Sequence, residues 1–313
     1  MNQSKFSLAD LLTLLTALVF GFVCFLGANF FTLGEIAPSI ILAAIIVVLL
    51  CATALGAKLL KRTRRNFKTC FVLEITLLVL FTGLIAFFSY SPFSHFFVVS
   101  EKRAEIQSKL TASITQAENM FAEYERYAAN REDLYNGKLH SVVAAKNIDS
   151  SEYYTFGFID DSVSEDKQIE NKVTTLRDDL FPTNYKDRKQ IASNWLEKAR
   201  SIVENWKPIG IVGVVNEVEK NSNEWLSTLV ELSLIRENGE TADDFTYDLS
   251  FDDVKKHFTT LGKPTLVSIV FTAFVFLLML LSWIVTKRHP KSPGVKELFK
   301  MIFGMSGSID NEL

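Results

Sequence analysis

Three stretches of this chain run for more than twenty residues without a charged side chain: Leu11–Phe31 (21 residues), Ile36–Ala57 (22) and Pro264–Thr286 (23). A fourth, from Thr69 to Ser100, is interrupted only by Glu74 and His95. At 1.5 Å per residue an α-helix of twenty residues covers about 30 Å, the thickness of a bilayer's hydrocarbon core. Backbone amides cannot cross that layer unpaired, so each run is read as a membrane-spanning helix. The first closes on Asn29-Phe30-Phe31 rather than on small residues, which favours a retained helix over a cleaved leader. Ser7, three residues before Asp10, supplies a capping-box signal ahead of it. The predicted fold class is mainly α: a polytopic membrane protein with four transmembrane helices, at about 11–31, 36–57, 69–99 and 264–286.

The charges lie elsewhere. Residues 101–263 hold 21 Lys and Arg against 30 Asp and Glu, a net of −9, whereas the remainder has 12 against 6, a net of +6. An acidic block of this kind argues against nucleic acid or anionic lipid as its partner. None of Cys24, Cys51 and Cys70 falls within it. The basic residues cluster beside the spans: Lys58, Lys61, Arg62, Arg64, Arg65 and Lys68, with no acid among them, and then Lys287, Arg288 and Lys291. The positive-inside bias assigns both clusters to the cytoplasm, and an even number of crossings satisfies both. Residues 1–99 thus form an N-terminal membrane region, 100–263 an extracytoplasmic, periplasmic domain, and 287–313 a short basic cytoplasmic tail. The expected location is a bacterial inner membrane.

Two ionisable residues within the spans draw attention. Glu74 is a functional candidate by position, or it reaches the basic cluster, since Lys68 is only six residues away. His95 is expected as a polar residue at the outer interface. Ser89-Tyr90-Ser91-Pro92 is expected to bend or end the third helix, because proline lacks a backbone donor. The pairs Ala52/Gly56 and Thr82/Ala86 permit close helix approach without requiring it.

In the acidic block, Ile106, Leu110, Ile114, Ala117, Phe121, Tyr124 and Ala128 recur every three or four residues and predict an amphipathic helix running to Tyr135. Asn136-Gly137 is expected to close it. The seam of Ile106, Leu110, Ile114, Phe121, Tyr124 and Tyr135 can pack on the domain's own helices or on another copy, and is the candidate partner-contact surface. Tyr153–Ile159 and the alternating Phe245, Tyr247, Leu249 and Phe251 predict two strands that pair in one small β-sheet. Between them, Ser164 and Pro182 bracket one helix. Asn184 and Pro208 bracket a second, bearing Ile191, Trp195, Ala199, Ile202 and Trp206 on one face. Ile209–Val218 reads equally as strand or helix, and a helix through Leu226, Leu229 and Leu232 runs towards Gly239. Ser250 and Asp253 cap a last short helix.

No nucleophile elbow, zinc, phosphate-loop or paired-cysteine motif occurs, and the two remaining histidines, His140 and His257, are isolated. The adjacent acids Asp160-Asp161, Asp178-Asp179, Asp243-Asp244 and Asp252-Asp253 lack the spacing of a calcium loop. Neither an enzyme nor a cofactor or metal is expected. In the tail, Val295, Leu298, Phe299, Ile302 and Phe303 form one face of a short helix edged by Lys296 and Lys300, suited to the anionic inner leaflet or to docking on a cytoplasmic partner.

The three-plus-one layout, acidic outer domain and short basic tail resemble TssN, an inner-membrane component of the type VI secretion machinery of Bacteroidota. The resemblance implies a structural subunit of an envelope-spanning complex, with TssO, TssP, TssQ and TssR as partners beside the lipid bilayer and other copies of itself. Two further classes compete. A sensor would bind a ligand in the outer domain and signal through a partner that reads the tail. A small channel has only Glu74 and His95 in the spans to work with, which is thin for a transport path.

Overall fold

The computed structural model describes residues 7–63, 66–159 and 163–288, which are helical with no β-strand among them. The chain divides into two compact units, one made of Met1–Arg103 with His257–Leu313 and the other of Ala104–Lys256.

The first unit holds four helices long and apolar enough to cross a membrane, as in a multi-pass membrane protein. Helix α1 (Leu8–Phe31) starts at Ser7, whose hydroxyl accepts from the Asp10 amide while Asp10 accepts from the Ser7 amide, completing the capping box. It ends in a reversal at Leu33 and Gly34, both at positive φ, where the Gly34 amide donates to Asn29 O at 2.8 Å. Helix α2 (Ile36–Lys61) follows. The third apolar run makes α3 (Phe67–Phe88), a π-helical turn at Ser89–Phe93 and α4 (Ser94–Glu101).

Pro92 was expected to bend or end this run, and it ends α3 only in part. The missing amide and the bulk of the ring are absorbed by widening one turn, and Ser94 Oγ donates to Ser89 O across it. Helix α1 passes against this turn at Gly27: a Cβ there would lie 1.8 Å from Pro92 O. The last span is α11 (Leu266–Val285). Phe20, Cys24, Leu50, Phe81, Phe93 and Met279 form the centre of a shared apolar core, with Phe20 and Phe93 stacked at 4.6 Å.

The second unit is arranged along α5 (Arg103–Ala144), 42 residues or about twelve turns long, which ends nine residues beyond Tyr135, where the sequence placed its end. Asn136-Gly137 does not close it. Glycine in a helix interior costs about 1 kcal/mol relative to alanine, and the buried Leu139 and Val142 beyond it offset that. After a short α6 (Ser150–Thr155) come α7 (Glu165–Leu180), α8 (Tyr185–Asn205) and α9 (Ile211–Ser233). The ambiguous Ile209–Val218 run is thus the start of a helix. Among the described residues the last helix outside the spans, α10 (Asp252–Thr259), opens with Ser250 Oγ accepting from the Asp252 amide.

The expected small sheet is a correction. Tyr153 belongs to α6, and Tyr153, Phe156 and Phe158 turn into one apolar cluster with Tyr135, Leu139 and Leu176. Residues 240–251 belong to neither a helix nor a strand. They lie along α5, where Tyr127 donates to Asp243 O, Gln116 to Asp248 O, and Tyr247 to Gln116 O. A helix flank, not a second strand, supplies the half-buried surface that the alternation of Phe245, Tyr247 and Phe251 reflects.

Side chains of α5 also close the ends of the three helices packed around it. Gln107 donates to Val203 O and Glu204 O at the end of α8, and Tyr124 to Leu180 O at the end of α7. Arg131 donates to Ser233 O and Ile235 O at the end of α9. The terminal carbonyls that a helix cannot satisfy itself are met in each case by one element.

Candidate functional site

The predicted partner-contact seam is interior. Ile106, Leu110, Ile114 and Tyr124 are fully buried, and Phe121 and Tyr135 nearly so, within their own unit. Of the two packings open to the sequence, the one on the domain's own helices holds, because α7, α8 and α9 bring enough apolar surface to cover the seam. The tail positions Val295, Leu298, Phe299, Ile302 and Phe303 lie outside the described residues, as do Asp160 and Asp161.

In the spanning unit, polar side chains gather where α1 and α3 begin and α2 and α11 end. Asp10 is reached earlier than the uncharged run implied, because α1 starts at Leu8, and Lys58 and Lys61 belong to α2, which continues past Ala57. Asp10 forms a buried ion pair with Lys58 and accepts from Ser282. Glu74 is fully buried and accepts from Trp283 Nε1 at 2.8 Å and from Arg288 at 2.7 Å. Its partner is therefore the basic cluster after α11, not the nearby Lys68.

The Arg288 guanidinium also stacks over Phe71 at 4.4 Å, and Lys61 lies 4.1 Å over the Trp283 ring while donating to Trp283 O. Two ion pairs and two cation–π contacts thus join all four spans at one end. Removing one partner of such a pair leaves a buried charge uncompensated, which costs about 3–5 kcal/mol. At the other end His95 is buried rather than interfacial: Nε2 donates to Phe258 O at 2.6 Å. Phe258 packs on Phe30 and makes that carbonyl available.

The second unit carries a groove of about 800 Å³ between an exposed flank of α5 and residues 239–247. Its floor is built on Arg131. This side chain pairs through two nitrogens with Glu240, both being nearly inaccessible, while Glu240 also accepts from the Glu237 amide at 3.0 Å. Burial opposes the Arg131 charge, but the Glu240 carboxylate outweighs it and holds the guanidinium above its ordinary value. Burial pushes the phenols of Tyr124 and Tyr135 well up, with Glu237 and Glu240 adding to the effect at Tyr135.

Gly239, at φ +77°, turns the chain into this segment, and a Cβ there would meet the Phe156 ring at 2.6 Å. Arg126, Lys138, Asp243 and Asp244 give the walls both signs of charge, and Leu134 stands 77% exposed between them. Of these residues the sequence singles out only the acid pair Asp243-Asp244, and only the fold brings it into one groove with Arg126 and Leu134. Among the described residues no group of three or more His, Cys, Asp or Glu is placed to hold a metal ion.

No protein-family model, curated protein or solved structure matches this chain.

Proposed function

We propose that this chain is a non-enzymatic structural subunit of an envelope-spanning membrane complex, of the type VI secretion kind that its layout resembles. In this reading the four spans anchor it in the inner membrane with both termini in the cytoplasm. Residues 104–256 face the periplasm and hold other subunits, the counterparts of TssO, TssP, TssQ and TssR, and further copies of the chain.

The observation that carries this reading is the groove beside residues 239–247. Its floor is fixed by Arg131 and Glu240, and one wall is a segment in neither helix nor strand. A half-apolar groove with a fixed floor and loop backbone along one wall suits the capture of a segment of another protein. The spans fit an anchor, because Asp10 and Glu74 are tied to basic partners on neighbouring helices.

The test is a photo-crosslinking residue at Leu134, in the groove, with Ile148, 91% exposed and outside it, as control. Adducts with other membrane-complex subunits are expected from position 134 and not from 148. A chain that purifies as a monomer and gives no adduct at 134 overturns the proposal.

One observation favours the sensor instead: 800 Å³ is ample for a small ligand. That reading predicts that some small molecule raises the melting temperature of the chain, and that altering Leu134 abolishes the rise.

A further inference from the structure

At the end of the spanning unit where Asp10 meets Lys58, a hollow of about 350 Å³ opens between the start of α1 and the ends of α2 and α11. Its lining includes Lys58, Arg62 and Lys287, the hydroxyl groups of Ser7 and Thr286, and the apolar Val285. The charges do not balance. Lys58 is matched by Asp10, and nearby Arg288 is matched by Glu74. Arg62 and Lys287 have no ion-pair partner among the described residues. The carbonyl ends of α2 and α11 face the same region and offset part of this excess, while the α1 amide end adds to it.

Two unmatched cations held over a preformed hollow, in a wall of mixed hydroxyl and apolar groups, define a site for a phosphate anion. The level of the hollow says which phosphate. It lies where three spans terminate, within the basic stretch that the positive-inside bias assigns to the cytoplasmic leaflet, whose lipids carry anionic headgroups. Val285, 64% exposed, and Ile284, 52% exposed, begin the apolar surface that α11 continues away from the end bearing Lys287. A free phosphate ion would use the cations and leave the apolar surface unused.

We propose that this hollow binds the headgroup of an anionic phospholipid, with Arg62 and Lys287 on the phosphate. The inference rests on the four spans lying in a bilayer and not on the assembly reading above.

The experiment uses the full chain in detergent, with lipid binding followed by native mass spectrometry. The probes are phosphatidylglycerol, zwitterionic phosphatidylcholine, and inorganic phosphate. The double variant Arg62→Gln/Lys287→Gln should weaken phosphatidylglycerol binding tenfold or more and leave melting without lipid unchanged, because neither residue is in an internal ion pair. Lys68→Gln removes an exposed base at the same end, outside the hollow, and should change binding less than twofold. The proposal is overturned if Lys68→Gln weakens binding as much as the double variant, or if phosphatidylcholine binds equally well. It is also overturned if millimolar inorganic phosphate displaces the lipid, since the hollow would then be a site for the free anion.

Discussion

Replacing Arg131 with methionine isolates what holds the second unit together. Methionine keeps most of the side-chain volume, so the change is electrical and hydrogen-bonding more than steric. Arg131 and Glu240 have side-chain exposures of 2% and 4%, so water cannot reach the carboxylate once the guanidinium is gone. Glu240 would keep one donor, the Glu237 amide, and the carbonyls of Ser233 and Ile235 at the end of α9 would each lose one of two donors, keeping Arg236. Removing one member of a buried pair costs about 3–5 kcal/mol. For a unit of this size that corresponds to roughly 10 °C or more in melting temperature.

A second substitution separates the two roles. If the ion pair alone mattered, Arg131→Met/Glu240→Leu would recover nearly all of the loss, since replacing both members with apolar groups is often neutral. Because the α9 carbonyls keep only Arg236 as donor, the double variant should remain about 0.5–1.5 kcal/mol below the parent. Guanidinium titration of the full chain in detergent, followed by tryptophan fluorescence, reads this unit, since Trp195, Trp206 and Trp225 lie in it and only Trp283 outside. A loss below 1 kcal/mol for Arg131→Met refutes the argument. Full recovery in the double variant refutes the capping half of it.

Two further outcomes follow from the packing. Gly27→Ala places a methyl against the Pro92 carbonyl and should cost about 3 kcal/mol or more, whereas Gly83→Ala, with no atom within 4 Å, should be neutral; circular dichroism melts in detergent compare them. The buried phenols of Tyr124, Tyr135 and Tyr185 titrate above their unfolded values, so the stability they contribute is complete below pH 10 and falls as pH rises through the folded values. Together they should lower stability by roughly 4 kcal/mol per pH unit above 10, and the part of the phenolate absorbance that vanishes when all three are replaced by phenylalanine should appear only as helicity is lost. If that part appears near pH 10 in the folded chain, their burial is refuted.

The spans were legible because a run of twenty uncharged residues fixes its own structure without reference to neighbours. Local end signals were legible for the same reason: Ser164 and Pro182 bracket α7 as read. Readings failed where the answer depended on a distant element. On α8 the sequence offers two adjacent apolar stripes, and the packed one is Tyr185, Ala192, Leu196, Ala199 and Val203. Ile191 and Ile202, on the other stripe, are 66% and 41% exposed. Nothing within the helix distinguishes stripes so close in angle. The candidate site was less visible still. Glu74 stood out for its charge, but its bonds to Trp283 and Arg288 span more than 200 residues, and those of Arg131 to residues 233–240 span about 100. Long-range closure of this kind leaves no periodicity.

The closing of three helix ends by α5 also imposes an order of events in synthesis. Residues 103–144 leave the ribosome first, while the last group they hold, the Asp248 carbonyl, follows about 100 residues later. At about 5–20 residues per second the helix waits roughly 5–20 s for it. Until α7, α8 and α9 have followed, the face bearing Leu110, Ile114, Phe121 and Tyr124 is incompletely covered by its own chain. A neighbouring nascent copy carries the same missing segment at the same moment. The interior of the mature unit is therefore the nascent chain's adhesive surface, and exchange of the 165–240 segment between copies is the misassembly to which this architecture is most exposed.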